Sequence, residues 1–303
     1  MRNAESLLME FHTPNSALRT PSVLQTLRVG HTPDMDDAFM FYAIASGEVP
    51  MDGLRFEHVI EDIQTLNGRA FKAELDMTAI SAATYPSVAD AYWIVSVGSS
   101  VGRNYGPLVI SASPREPASL EGRRVAVPGA HTTASLLLRL ALPTFEPVEM
   151  PFEQIPEAVL TGTVDAGLVI HEWQLTYRDA GLLPVLDLGM WWQQHTGLPI
   201  PLGLNAVKKS LGRELAQRAT TVLRDSILHA FAHQEEAVAY AMRYGRGTDL
   251  VRSRQFIGMY VNEETLSLTP PCREALNLLF SRAHEAGLIP HRPSLEVIEP
   301  LSR

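Results

Sequence analysis

The sequence predicts a two-lobed α/β protein, and three observations carry that prediction. Short apolar runs alternate with helical patterns, as layered sheets and helices require. Two breaker-rich stretches, Gly98 to Pro107 and Gly197 to Gly203, interrupt the alternation where a chain could cross between lobes. Several apolar strands end in polar residues just before a helix should begin, the place where open α/β sheets hold ligands.

The elements follow in order. Leu27 to Gly30 reads as a strand, Ala38 to Ala45 as a helix stopped by Gly47, and Leu54 to Val59 as an alternating strand. Ile63 to Ala70 is then a helix in the position of a crossover. Asp76 to Ile80 is a strand running into Ser81, with a helix over Ala82 to Ala91 and a strand over Trp93 to Val97. Beyond the first crossing, Leu108 to Ile110 is an apolar run, Arg124 to Val127 a strand and Ala134 to Leu142 a helix. Ala158 to Gly162 ends another helix, and Ala166 to Ile170 is a buried strand that stops at His171. Past the second crossing, Glu214 to Ala232, Glu235 to Tyr244 and Arg273 to Ala286 are helical. The expected organisation is an N-terminal arm (1–26), a discontinuous large lobe (27–109 plus 205–303) and a small lobe (110–204). Such lobes close by hinge motion around a ligand.

Bulk properties narrow the partners. A chain of 303 residues has room for two domains, and its 46% apolar and 19% charged residues make an ordinary globular balance. A net charge of -9 repels a polyphosphate backbone, so no nucleic-acid partner is expected. A small anion remains acceptable, because helix N-termini offer free N–H groups and a positive dipole end. The one cysteine, Cys272, permits no internal disulfide and reads as a small packed residue at a helix start. No apolar run is long enough to cross a bilayer, and the first 26 residues lack the apolar core of a secretion signal. The expected location is therefore cytoplasmic, with no membrane partner; a homodimer is compatible with this reading. Gly-x-Gly-x-x-Gly, the P-loop pattern and Gly-x-Ser-x-Gly are all missing, so neither a dinucleotide cofactor nor a serine-hydrolase elbow is expected.

The chemistry should lie at the strand ends. His171 follows a strongly apolar strand, and histidine is the side chain that ordinarily changes charge near neutral pH, so it is the candidate catalytic base. Asp34, Asp36 and Asp37 precede a helix, where they either cap it or meet the ligand. Ser81 and Thr132 are caps or ligand contacts; Gly129 permits a tight turn or a close approach to ligand. His31, His131 and His171 all end strands and would bind a metal only if they converged; no metal is expected. Trp191 and Trp192 either wall a planar ligand or pack between lobes.

At these residues the chain resembles the 1,4-dihydroxy-6-naphthoate synthases of the futalosine route to menaquinone. The likeness rests on Gly102-Arg-Asn-Tyr-Gly-Pro-Leu108, Val125-Ala-Val-Pro-Gly-Ala-His-Thr-Thr-Ala134 and Ala166-Gly-Leu-Val-Ile-His-Glu172. Trp191-Trp192, Thr196-Gly-Leu-Pro-Ile-Pro-Leu-Gly203 and Tyr260-Val-Asn-Glu263 add to it. The resemblance implies the two-lobed, periplasmic-binding-protein-like fold (type II), each lobe a mixed sheet flanked by helices. It implies a carbon–carbon lyase that converts cyclic dehypoxanthine futalosine to 1,4-dihydroxy-6-naphthoate with release of dihydroxyacetone. His171 is then the base, and Ser81, Thr132 and Thr133 contact the substrate. The full expected ligand set is Asp37, Ala79, Ile80, Ser81, Thr132, Thr133, His31 and Arg103. Three positions depart from the family pattern: Asp36 stands for an asparagine, which removes a donor and adds a charge, Ala38 stands for a threonine, and Ala79 stands for a lysine. A solute-binding protein of the same fold, or a paralogous enzyme with another substrate, are the alternatives.

Overall fold

The structure is a computed structural model that describes residues 24–302. Among these residues the strands run in chain order as β1 (Gln25–His31), β2 (Leu54–Ile60), β3 (Met77–Ser81), β4 (Tyr92–Val95), β5 (Ser100–Gly102) and β6 (Leu108–Ser111). They continue as β7 (Arg124–Val127), β8 (Glu146–Glu149), β9 (Ala166–Val169), β10 (Leu183–Asp187), β11 (Ile200–Lys208) and β12 (Val297–Ile298). They make two mixed sheets. The larger has the order β12-β4-β11-β3-β1-β2, with β5 also paired to β11; the smaller has the order β10-β6-β9-β7-β8.

Each sheet combines parallel and antiparallel pairs. β1 lies parallel to β2 and β3, as helical crossovers require, whereas β11 runs antiparallel to β3, β4 and β5. In the small sheet β7 is parallel to β8 and β9, and β6 is antiparallel to β9 and β10. The parallel centre of each sheet points its carboxyl ends, at His31, Ser81, Val127 and Val169, toward the gap between the sheets.

The chain passes from the large sheet to the small between β5 and β6, and returns between the helix Leu188–Thr196 and β11. The two passages are hydrogen-bonded to one another, with Gly102 opposite Ile200 and Val101 opposite Pro201. The breaker-rich return stretch is thus partly a strand, contrary to its reading as a bare crossing. Its prolines and glycine are tolerated because β11 is irregular there, with a register shift between Pro201 and Gly203. The sheet boundaries also differ slightly from the expected ones. β6 begins at Leu108, β11 at Ile200, and Gln25 and Thr26 belong to β1 rather than to an arm, whose residues 1–23 lie outside the described part.

Helices cover the sheets for the usual reason, burial of apolar faces. The helix Met35–Ser46 packs on the helix Arg213–Ala232, with Phe39 against Phe231, buries Phe41 against His31 of β1, and ends at Gly47 with φ 76°, the left-handed stop its sequence suggested. Cys272 is buried in the helix Pro270–Glu285, and burial pushes its thiol up to about 12, so it is an inert packing residue. The segment Ala82–Ala91 is a 3-10 turn and a four-residue helix, Tyr85–Val88, not the longer helix expected. Trp192 is fully buried and donates its Nε1–H to the Pro199 carbonyl at 2.9 Å, so it anchors the return passage from inside.

One close approach sets the geometry of the first passage. Gly189, in the helix Leu188–Thr196, packs against the main chain of Tyr105 and Gly106, and a methyl group there would overlap the Tyr105 carbonyl. Gly189→Ala is expected to lower stability by about 3 kcal/mol, because backbone cannot yield as a side chain can. Urea denaturation of the full chain measures this, and an unchanged midpoint would show that the approach is loose.

Candidate active site

The helix Met35–Ser46 begins with three aspartates, and each has a different partner. Asp34 occupies the capping position but makes no side-chain cap hydrogen bond. Its Oδ2 lies 3.3 Å from His171 Nδ1, and its Oδ1 lies 2.8 Å from the Arg246 guanidinium. Asp37 accepts from the Thr32 amide at 2.6 Å and from the Thr32 hydroxyl at 2.8 Å. Asp36 accepts from the Ser100 hydroxyl at 3.0 Å, and its Oδ1 is shut off from solvent with no hydrogen-bond partner. Burial raises the carboxyls of both Asp36, to about 7, and Asp37, to about 6; neighbouring carboxylates push the same way.

His171 sits just past β9, and its backbone is left-handed at φ 54°. A residue with a Cβ adopts that region at a cost of about 1 kcal/mol or more, and such strain collects at functional sites. Here it turns the imidazole off the strand axis and against the Phe152 ring, at 4.7 Å between centroids. Among the described residues no hydrogen bond involves Nε2, so that nitrogen is available to a ligand. The next residue, Glu172, is buried and meets Arg246 at 3.1 Å; burial pushes its carboxyl up. Arg246 also stacks over Phe152 at 4.7 Å. One guanidinium therefore joins the loop before the helix Met35–Ser46 to the end of β9.

A cleft of roughly 720 Å³, its open mouth included, lies between the two sheets. It is lined by Asp36, Asp37, Ala79, Ile80 and Ser81 from elements of the large sheet and by His171, Thr132, Thr133 and Ala134 from elements of the small one. The hydroxyls of the two threonines are already engaged. Thr132 caps its helix by accepting from the Ser135 amide and donates to the Gly129 carbonyl at 2.9 Å. Thr133 donates to the Leu202 carbonyl at 2.6 Å and accepts from the Ala83 amide at 3.1 Å. The donors left for a ligand are the first-turn N–H groups of Thr133 and Ala134, at the positive end of the helix Thr133–Ala141. Ser81 is held by Asn67, which accepts from its amide at 2.8 Å and donates to its hydroxyl oxygen at 3.0 Å. The Ser81 proton remains free to point at a ligand oxygen.

Two expected ligand contacts lie elsewhere. His31 is buried, stacked on Phe41 at 4.5 Å, and shares a hydrogen bond with His58 at 2.9 Å. Arg103 turns away from the cleft to pair with the fully buried Glu264 at 2.5 Å, which ties the first passage to the helix Glu263–Leu266. His131 is exposed against Phe71, so His31, His131 and His171 do not converge. Gly129, at φ 137°, turns its bare Cα toward the Gln64 side chain.

Several residues in and around the cleft were given no role by the sequence reading. Tyr260 is buried and donates to the Gln174 amide oxygen at 2.6 Å, across the gap between lobes. Asn205 donates to the Gly98 carbonyl at 2.8 Å and leaves a buried side-chain oxygen unpaired. Arg246 follows a Tyr-Gly pair in a polar loop far from any motif, so nothing local marked it.

Residues 27–285 match the protein family described as "Menaquinone biosynthesis". This chain belongs to that family. It is 39% identical over 270 residues to the 1,4-dihydroxy-6-naphthoate synthase of Thermus thermophilus, covering 89% of this chain and 98% of that one. It is likewise 39% identical over 271 residues to the enzyme of the same name from Streptomyces coelicolor, covering 88% and 95%. A crystal structure from Archaeoglobus fulgidus superposes with a TM-score of 0.84 at 51% identity, covering 87% of this chain and 98% of that one. The alkanesulfonate-binding protein of Xanthomonas axonopodis superposes at 0.67 with 13% identity, covering 90% of this chain and 97% of that one, which establishes the periplasmic-binding-protein-like fold. No helix among the described residues is long and apolar enough to cross a membrane.

The buried imidazoles give the fold a pH signature. Burial lowers His31 to about 4 and His58 to about 4 from an ordinary 6.5. The unfolded chain therefore takes up protons below about pH 6.5 that the folded chain refuses until about pH 4, and stability falls as pH falls through that window. For His31, which is 4% exposed, the loss is on the order of 3 kcal/mol. His31→Phe keeps the stack on Phe41 and should flatten the slope of urea midpoint against pH. A variant as acid-labile as the parent would show that the slope arises elsewhere.

Proposed function

We propose that this protein is a 1,4-dihydroxy-6-naphthoate synthase, a lyase that converts cyclic dehypoxanthine futalosine to the dihydroxynaphthoate and releases dihydroxyacetone. The observation that carries the reading is the dyad at the cleft wall: an imidazole whose Nδ1 faces the Asp34 carboxylate at 3.3 Å and whose Nε2 is unclaimed. A base needs its accepting nitrogen directed at the substrate and its other nitrogen held, and Asp34 does the holding. The naphthoate synthases of Thermus and Streptomyces support the choice of substrate.

In this reading His171 removes a hydroxyl or carbon-bound proton from the cyclic substrate. The electron pair left behind breaks the carbon–carbon bond to the three-carbon unit, and the ring that remains becomes aromatic. Aromatisation supplies much of the driving force, so the protein chiefly orients groups and moves protons. Asp34 stabilises the imidazolium that forms, and Arg246 keeps Asp34 in place. The N–H groups of Thr133 and Ala134 hold ligand oxygens at one end of the cleft, and Ser81 holds the other. The paired passages β5 and β11 bend as the two lobes close, which excludes water from the reacting carbon. The same reading puts the reaction in the cytoplasm, on a small anionic substrate.

His171→Ala should lower kcat by roughly 10²- to 10⁴-fold while the product still binds. Asp34→Asn should lower kcat about 10²-fold or more, with KM little changed, because the imidazole loses its counter-charge rather than its place. Product formation followed by mass spectrometry reads both. Full turnover in His171→Ala would end the proposal, as would tight binding of the substrate by the parent protein with no product.

A further inference from the structure

The three aspartates at the start of the helix Met35–Ser46 cannot all be ionised at one place, and their partners show how the charge is divided. Asp34 faces two cationic or cation-forming groups, Arg246 and His171, and is the natural site of a negative charge. Asp37 receives two donors from Thr32. Asp36 receives only one, from Ser100 on β5, and its Oδ1 is closed to solvent and unpartnered although the residue lines the cleft.

The groups around Asp36 reinforce this. On its own element it faces Asp34 and Asp37, both of which oppose a third charge. From the end of β9 it faces His171, and from the helix Leu250–Tyr260 it faces Tyr260, a neutral phenol. No guanidinium or ammonium among the described residues contacts it, since Arg246 is taken by Asp34 and Glu172, and Arg103 by Glu264. A half-buried carboxyl whose Oδ1 is closed to solvent, with one hydroxyl donor and two acidic neighbours, holds its proton to higher pH.

We propose that Asp36 works as a neutral carboxylic acid whose O–H donates a hydrogen bond to an acceptor oxygen of the ligand in the cleft. This rests on the naphthoate synthase reading for the identity of the ligand, but not for the state of Asp36. The residue then does what an amide side chain would do at the same spot, with one difference: the donor disappears when the proton leaves. An acidic loop can in this way receive an anionic ligand without adding to the repulsion. Above the titration of Asp36, the ligand loses a donor and meets an extra negative charge, so affinity falls with rising pH.

Two measurements on the full chain test this. Infrared difference spectra of parent minus Asp36→Asn, taken near neutral pH without ligand, should contain the carbonyl stretch of a protonated carboxyl. Its absence from the parent would overturn the proposal whatever the substrate is. Calorimetric titration with 1,4-dihydroxy-6-naphthoate under exclusion of oxygen should show Kd weakening toward about tenfold per pH unit on the alkaline side of neutrality in the parent. Asp36→Asn should abolish that slope and bind more tightly than the parent at alkaline pH; Asp36→Ala should bind about tenfold more weakly than the parent on the acid side. Parallel profiles in the parent and Asp36→Asn would overturn the proposal. A parent that binds no naphthoate at any pH would count against the functional reading instead, and the infrared result would still decide the state of Asp36.

Discussion

The contact on which the rest of the site depends is the placing of one carboxylate, Asp34, between a guanidinium and an imidazole. Asp34 stands where a helix cap belongs, yet it gives up the cap and turns to Arg246 and His171. Breaking a buried pair by removing one partner costs about 3–5 kcal/mol, so the arrangement is held firmly even though forming it contributes little net stability. Its value is positional. His171 is presented from the small sheet, Asp34 from the large one, and Arg246 spans both, so the cluster is complete only when the two sheets stand in the right relation.

The same economy explains the division of labour among the neighbouring aspartates. A helix N-terminus favours negative charge, but three carboxyls in one desolvated turn exceed what the dipole and the available donors can stabilise. Salt-bridge and amide donors go to Asp34 and Asp37, and Asp36 is left with a hydroxyl. The sequence reading took Asp36 as an added negative charge, because an aspartate is ordinarily ionised. A solvent-closed Oδ1 and two acidic neighbours reverse that expectation, and no local pattern could have revealed it.

Much of the architecture was legible because it depends on local rules. The αL stop at Gly47, the long helix Arg213–Ala232 and the strand Ala166–Val169 follow from residue pattern, and the structure has them within a residue or two. β8, β10 and β11 were missed for the opposite reason: each contains proline, and each is held by its neighbours in a sheet. At the site, strand-end position brought His171, Ser81, Thr132 and Thr133 to the cleft wall. It failed for His31 because position says nothing of direction, and the ring packs inward onto Phe41; Arg103, expected from the family resemblance, swings its guanidinium to Glu264. Arg246 and Asn67 lay beyond reach, since their roles arise from contacts with residues 74 and 14 positions away.

The inward-turned hydroxyls of Thr132 and Thr133 have an evolutionary corollary. Because those side chains are spent on fastening their own helix and the return strand, the donors they leave at that end of the cleft are main-chain N–H groups. Main chain is the same whatever residue is written there, so drift in the gene cannot easily retune this grip without loosening the scaffold. Divergence in what such a protein accepts must therefore accumulate on the opposite wall, in the loop that carries the aspartates. That half of the pocket is the one to compare first when descendants of this fold take up new chemistry.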